Sequence, residues 1–342
     1  MQIGLESLID DELAAYVEES RNFNATLDAS AGAQSQPDPS TPKGLQEARA
    51  RLSVRPAPAG PPALERVAEA AGRRVPVRIL TPESGAARGV YLDIHGGGFY
   101  LGCAARGDAR NRRLADALGV VVVSVDYRLA PEHPWPAAPD DCETAALWLL
   151  KEAETVFGAT RLTIGGASAG ATLAMTTLLR LRDRGMAKPF LGAALQFGTY
   201  DLSGQSPAGR LLAEEYFIQA YVGQVADRTN PDISPLYGDL RGLPPALLII
   251  GSLDIVLEDN LAMAARLSAA GGAVDIRVYP ESRHGFTSFD TAMAGAALRD
   301  IDSWLGDRFR GRGCEPGPAT AIAIGAPIPV PASPGVTVCG GG

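Results

Sequence analysis

The chain has 342 residues, 46% of them hydrophobic, and a net charge of −8. That size and apolar content suffice for one large α/β domain or two small ones. The acidic balance excludes the basic footprint of a nucleic-acid binder, and no run of about 18 apolar residues offers a membrane span.

Residues 1 to about 25 place Leu5, Leu8, Ile9, Leu13 and Val17 at helical spacing and predict one or two helices. This stretch is acidic and amphipathic, without the basic start and apolar core of a secretory signal, so a cytoplasmic location is expected. The four cysteines, Cys103, Cys142, Cys314 and Cys339, show no metal-ligand spacing and are expected to be plain thiols. Residues 26–62 are rich in Ala, Ser, Gln and Pro, with one helical patch near 45–52. They read as a flexible connection plus a short helix.

From residue 63 the pattern changes. Strands are predicted at 64–68, 75–80 and 89–94, and His95-Gly96-Gly97-Gly98 follows the third. Residues 111–118 are helical. Residues 120–125 hold five valines in six positions, which suits a strand buried on both faces of a parallel sheet. A helix at 140–157 precedes a short strand at 162–164, then Gly166-Ala167-Ser168-Ala169-Gly170 and a long amphipathic helix. Another strand follows at 191–197. Residues 201–240 break the alternation with a polar start, a helical piece holding Tyr216, Phe217 and Tyr221, and a Pro-containing exit. They read as an insertion long enough to cover one end of the sheet. Strands at 246–251 and 274–279 and helices at 258–270 and 291–309 complete the pattern. Eight strands alternating with helices predict an α/β fold, an open and mostly parallel sheet with helices on both faces and its site at the carboxyl ends of the strands. From about residue 311 the chain is dense in Gly and Pro and is expected to be a disordered tail.

Four features fall at predicted strand ends. The glycine triplet follows the third strand, Ser168 the fifth, Asp254 the seventh and His284 the eighth. A serine flanked by glycines two residues away on either side can occupy a strand-to-helix turn that lifts its oxygen above the sheet. Serine is a poor nucleophile until a base takes its proton. Imidazole does so near neutral pH, and a carboxylate fixes the imidazole tautomer. The order Ser, Asp, His fits such a triad, while glycine N–H groups can hold the oxygen of a tetrahedral intermediate. The chain has three histidines. His284 is read as the base, and His95 and His133 as structural. Glu258 and Asp259 are read as the start of a helix rather than as the triad acid. Asp126 precedes the serine in the chain, and a salt bridge with Arg128 or another neighbour is expected for it. Phe99, Tyr100, Tyr200 and Phe217 are candidate pocket residues.

The motifs His95-Gly96-Gly97-Gly98-Phe99, Asp126-Tyr127-Arg128-Leu129-Ala130-Pro131-Glu132-His133-Pro134-Trp135-Pro136-Ala137-Ala138 and Gly166-Ala167-Ser168-Ala169-Gly170 resemble those of the hormone-sensitive-lipase family of α/β-hydrolases, the bacterial family IV esterases. The resemblance runs from about residue 64 to 309. It implies an α/β-hydrolase domain over residues 51–310 and a helical cap built from residues 1–50 and the insertion at 201–240, with residues 311–342 as tail. It implies an oxyanion hole from Gly97, Gly98 and Ala169, no metal and no cofactor, and hydrolysis of a small ester substrate with short to medium acyl chains. A homodimer through residues 273–309 follows by analogy. An amidase, lactonase or acyltransferase would use the same triad, and a non-catalytic small-molecule binder would lack one of its members. One position departs from the family: Ala167 stands where an acidic residue usually precedes the serine.

Overall fold

A computed structural model describes residues 4–31, 37–52 and 60–311. Its centre is an eight-stranded sheet in the order β1-β2-β4-β3-β5-β6-β7-β8. The strands are β1 (Leu64–Ala70), β2 (Arg73–Leu80), β3 (Val90–Ile94), β4 (Val121–Val125), β5 (Leu162–Ala167), β6 (Phe190–Gln196), β7 (Ala246–Gly251) and β8 (Val274–Tyr279). β1 and β2 form an antiparallel hairpin, β2 pairs antiparallel with β4, and every later pairing is parallel.

The central strands are apolar at nearly every position because both faces are covered. In β4, Val121, Val123 and Val125 join one buried cluster and Val122 joins the other. The first face is packed by α4 (Ala137–Phe157), α5 (Ala169–Asp183) and α8 (Leu257–Ala269). The second is packed by α3 (Asp108–Leu118) and α9 (Ala292–Arg310). Each fully buried Val, Leu or Ile contributes about 1.5–3 kcal/mol, so these two layers dominate the stability of the sheet. The polar exceptions meet on the second face. Asp93 of β3 lies opposite Ser124 of β4 and accepts hydrogen bonds from Ser124 Oγ at 3.0 Å and Asn111 Nδ2 at 2.8 Å, and it pairs with Arg110.

The N-terminal segment forms two 3₁₀ turns, Leu5–Leu8 and Asp11–Tyr16, and then α1 (Val17–Ala31). After a gap in the described residues comes α2 (Pro42–Arg51), capped by Thr41 Oγ1 accepting from Gly44 N. The expected helical patch at 45–52 thus begins earlier, at a Thr-Pro start signal. Between β6 and β7 the chain forms α6 (Pro207–Leu212) and α7 (Tyr216–Val222). Arg180 of α5 ties this insertion to the body through Asp232 at 2.5 Å and Asp140 at 2.8 Å. The expected tail residues, with Cys314 and Cys339, lie outside the described residues. No helix among the described residues is long and apolar enough to cross a membrane.

Asp259, in the first turn of α8, fastens the chain where it leaves β6. It accepts hydrogen bonds from the backbone N–H groups of Tyr200 and Asp201. Burial outweighs these bonds and pushes its carboxyl up from 3.8 to about 7. A carboxyl raised in the folded state favours folding below its unfolded value and loses that contribution as pH rises through the folded value. Stability from this group therefore falls by at most about 4 kcal/mol between pH 4 and pH 8. Asp259→Asn keeps an acceptor and removes the charge. Its melting temperature relative to the parent is expected to be higher at pH 8 than at pH 5, as thermal unfolding at the two pH values checks. An equal difference at both would contradict the assignment.

Candidate active site

β5 ends in a turn that the sequence makes possible only through two glycines. A side chain at Gly166 or Gly170 would run into the backbone carbonyl of Ile94 at the end of β3. With both positions bare, Ser168 takes φ 54° and ψ −124°, a strained conformation for a residue with a side chain, and caps α5. Its N–H donates to Gln196 O at 2.8 Å, which pins the turn to β6.

Three side chains from three strand ends meet here. Ser168 Oγ lies 2.9 Å from His284 Nε2. His284 Nδ1 lies 3.0 and 3.1 Å from the two oxygens of Asp254. The Asp254 side chain is fully buried, and its Oδ1 also accepts from Val256 N at 3.0 Å. A carboxylate so placed accepts from Nδ1–H and leaves Nε2 free to accept the serine proton. The ring of Phe197 stands edge-on to His284 at 5.1 Å and limits its rotation. The order read from the sequence thus becomes one continuous hydrogen-bonded chain.

Gly97 (φ 124°) and Gly98 (φ 57°) turn the loop after β3 back on itself, with Leu101 N donating to Gly97 O at 2.9 Å. A side chain at Gly97 would strike the Leu101 carbonyl. Gly97, Gly98 and Ala169 line the same cavity as Ser168, and their N–H groups donate to no acceptor among the described residues. Ala169 begins α5, so its N–H also carries the positive end of a helix dipole. His95 supports the loop from beneath. It stacks on Tyr127 at 4.1 Å, and Tyr127 Oη donates to His95 O at 2.9 Å. Burial lowers the pKa of its imidazole. His133 is exposed.

The cavity has a volume of about 840 Å³. Phe99, Tyr100 and Phe217 line it as expected; Tyr200 does not. Tyr200 is fully buried in the core, because the bonds to Asp259 turn its segment inward. Phe197, Leu212 and Ile255 are lining residues that the sequence reading missed. Phe197 was legible in principle, since it directly follows a strand on the site side of the sheet. Asp126 does not pair with Arg128. It accepts from Ala104 N at 3.0 Å, while Arg128 binds Asp141 at 2.8 Å. Among the described residues no group of three or more His, Cys, Asp or Glu side chains is placed to hold a metal ion.

A family model described as the alpha/beta hydrolase fold matches residues 91–288. The chain is 35% identical over 249 residues to an ethyl acetate hydrolase of Pseudomonas putida, covering 68% of this chain and 76% of that protein. It is 34% identical over 239 residues to the carboxylic ester hydrolase LipN of Mycobacterium tuberculosis, covering 65% of this chain and 64% of LipN. A crystal structure of a hormone-sensitive lipase from a metagenome library superposes with a TM-score of 0.72 at 30% identity, covering 85% of this chain and 98% of the other. The chain belongs to the hormone-sensitive-lipase family of α/β-hydrolases.

In this hydrolase Ala167 provides no carboxylate at the turn. The loop that carries His284 is fixed instead by Thr287 Oγ1, which donates to Gln196 Oε1 at 2.9 Å in a buried contact. Gln196 thus holds the serine turn through its carbonyl and the histidine loop through its side chain. Thr287→Val is expected to lower kcat several-fold with little change in KM, and Thr287→Ser to restore it, in steady-state assays on a small aryl ester. A change confined to KM would argue against a positioning role.

Proposed function

We propose that the chain is a serine carboxylesterase acting on short- to medium-chain acyl esters. The observation that carries this reading is the unbroken Ser168–His284–Asp254 chain at a cavity lined by three unused backbone N–H groups. Ser168 Oγ attacks the ester carbonyl while His284 Nε2 takes its proton and Asp254 stabilises the resulting imidazolium. The N–H groups of Gly97, Gly98 and Ala169 hold the oxyanion, each worth about 3 kcal/mol in the transition state. His284 then gives its proton to the departing alcohol. Water activated by the same ring hydrolyses the acyl-enzyme.

The cap belongs to this proposal as well. The described parts of residues 1–50 (4–31 and 37–50) and the insertion at 201–240 form the roof, with Leu52 just after the first segment and Leu212 and Phe217 from the second on the cavity wall. α1 reaches the histidine loop through Asp28, which accepts from Arg283 at 2.6 Å. α2 reaches the oxyanion loop through Arg49, which donates to Tyr100 O at 3.0 Å. Cys103 and Cys142 are free thiols, in keeping with a reducing cytoplasm. β8 forms one edge of the sheet, the place at which residues 273–309 would meet a second copy.

The parent protein is expected to take up one fluorophosphonate per chain and to hydrolyse small aryl esters. Ser168→Ala should take up none and lose at least about 10⁴-fold in kcat. Mass spectrometry of the labelled protein and initial-rate assays on esters, amides and lactones check both statements. Labelling that persisted in Ser168→Ala would remove Ser168 from the role of nucleophile.

A further inference from the structure

The cavity around Ser168 is more basic than the chain that builds it. Its walls carry three arginines, Arg106, Arg110 and Arg113, and a single carboxylate, Asp93, in a protein of net charge −8. The three arginines are not equivalent. Arg110 pairs with Asp93 and also reaches Asn111 Oδ1 at 3.2 Å. Arg113 pairs with Asp302. Both are held and largely neutralised.

Arg106 differs. It lies in the 3₁₀ turn Ala104–Gly107, five residues after Leu101 closes the oxyanion loop. It is exposed, and its guanidinium forms no hydrogen bond or ion pair with another described residue. Its charge is felt at His95, beneath that loop, where it adds to burial in disfavouring the imidazolium. A guanidinium at a cavity wall presents a planar fork of donors that matches a carboxylate. With Asp93 already engaged by Arg110, nothing anionic on the cavity wall competes for Arg106.

We propose that this wall is an anion subsite, with Arg106 as the recognising residue, and that the preferred substrates are esters bearing a second, ionised carboxylate. The proposal rests on the esterase reading of Ser168. In the overall reaction water adds across the acyl C–O bond, which breaks to give a new carboxylate, the alcohol and one proton. The existing carboxylate is unchanged and serves only to place the ester. The contact is partly solvated, so the expected preference is modest, about three- to tenfold, and shrinks as added salt screens it.

Two substrate pairs test it and separate the two possible positions of the charge. Monoethyl adipate against ethyl hexanoate places the carboxylate on the acyl side. Para-carboxyphenyl butyrate against para-carbamoylphenyl butyrate places it on the alcohol side. For one pair, the anionic-to-neutral ratio of kcat/KM is expected to fall about three- to tenfold in Arg106→Gln, mainly through KM. A ratio unchanged in both pairs would overturn the proposal. Calorimetric titration of Ser168→Ala with the same esters keeps this outcome apart from failure of the esterase reading. Tighter binding of the anionic member, lost in Ser168→Ala/Arg106→Gln, supports the subsite whatever the turnover. Equal binding of both members refutes it even if every ester is hydrolysed.

Discussion

Ser168 occupies a backbone conformation that costs on the order of 1–3 kcal/mol, and the site depends on its being held there. The hold comes from three directions. Gly166 and Gly170 let β5 and α5 close against the carbonyl of Ile94. The Ser168 N–H is taken by Gln196 O. The following residues enter a helix fifteen residues long at once. One turn therefore raises Oγ toward His284, frees the Ala169 N–H and aims the positive end of α5 at the same point.

Such strain persists only where the surroundings over-determine it. β3, β5, β6 and β7 lie side by side and are buried on both faces, so the strand ends that carry the site cannot shift independently. The histidine loop is less enclosed, and its attachments are correspondingly specific: Thr287 to Gln196, Asp254 to Nδ1 and Phe197 against the ring. The contacts from α1 and α2 are ion pairs open to solvent, which screens them. They add little to stability. Their effect is to fix loop geometry, because Arg49 also donates to the carbonyls of Tyr100, in the loop after β3, and Ala130, in the segment after β4.

What could be read from the sequence were the features that backbone geometry dictates. Glycine pairs flank Ser168 because no side chain fits, and the valine run of β4 follows from burial on two faces. All eight strands were legible for such local reasons, although β5 runs three residues beyond the expected end because Gly165 to Ala167 still pair with β6. The illegible features depend on contacts between distant segments. Tyr200 resembles a pocket aromatic until Asp259, fifty-nine residues away, draws its backbone inward. Asp126 and Arg128 resemble a pair until Asp141 takes the arginine. Gln196 shows no signal in sequence, since its importance comes from touching two loops at once.

The contrast between an acidic chain and a basic cavity resolves on distance. At physiological ionic strength charges separated by more than about 8 Å are largely screened, so a net charge of −8 spread over the surface acts weakly inside a recess of about 840 Å³. What an entering group meets is set by the wall itself. There the one carboxylate is bound to Arg110, and Ala167, also on the wall, adds none where the family usually places one. An acidic side chain at position 167 would sit beside Ser168 and oppose both a bound carboxylate and the negative charge that develops on the oxyanion. Its replacement by alanine and the presence of Arg106 act in the same direction, and Gln196 supplies the tether to the histidine loop without a charge.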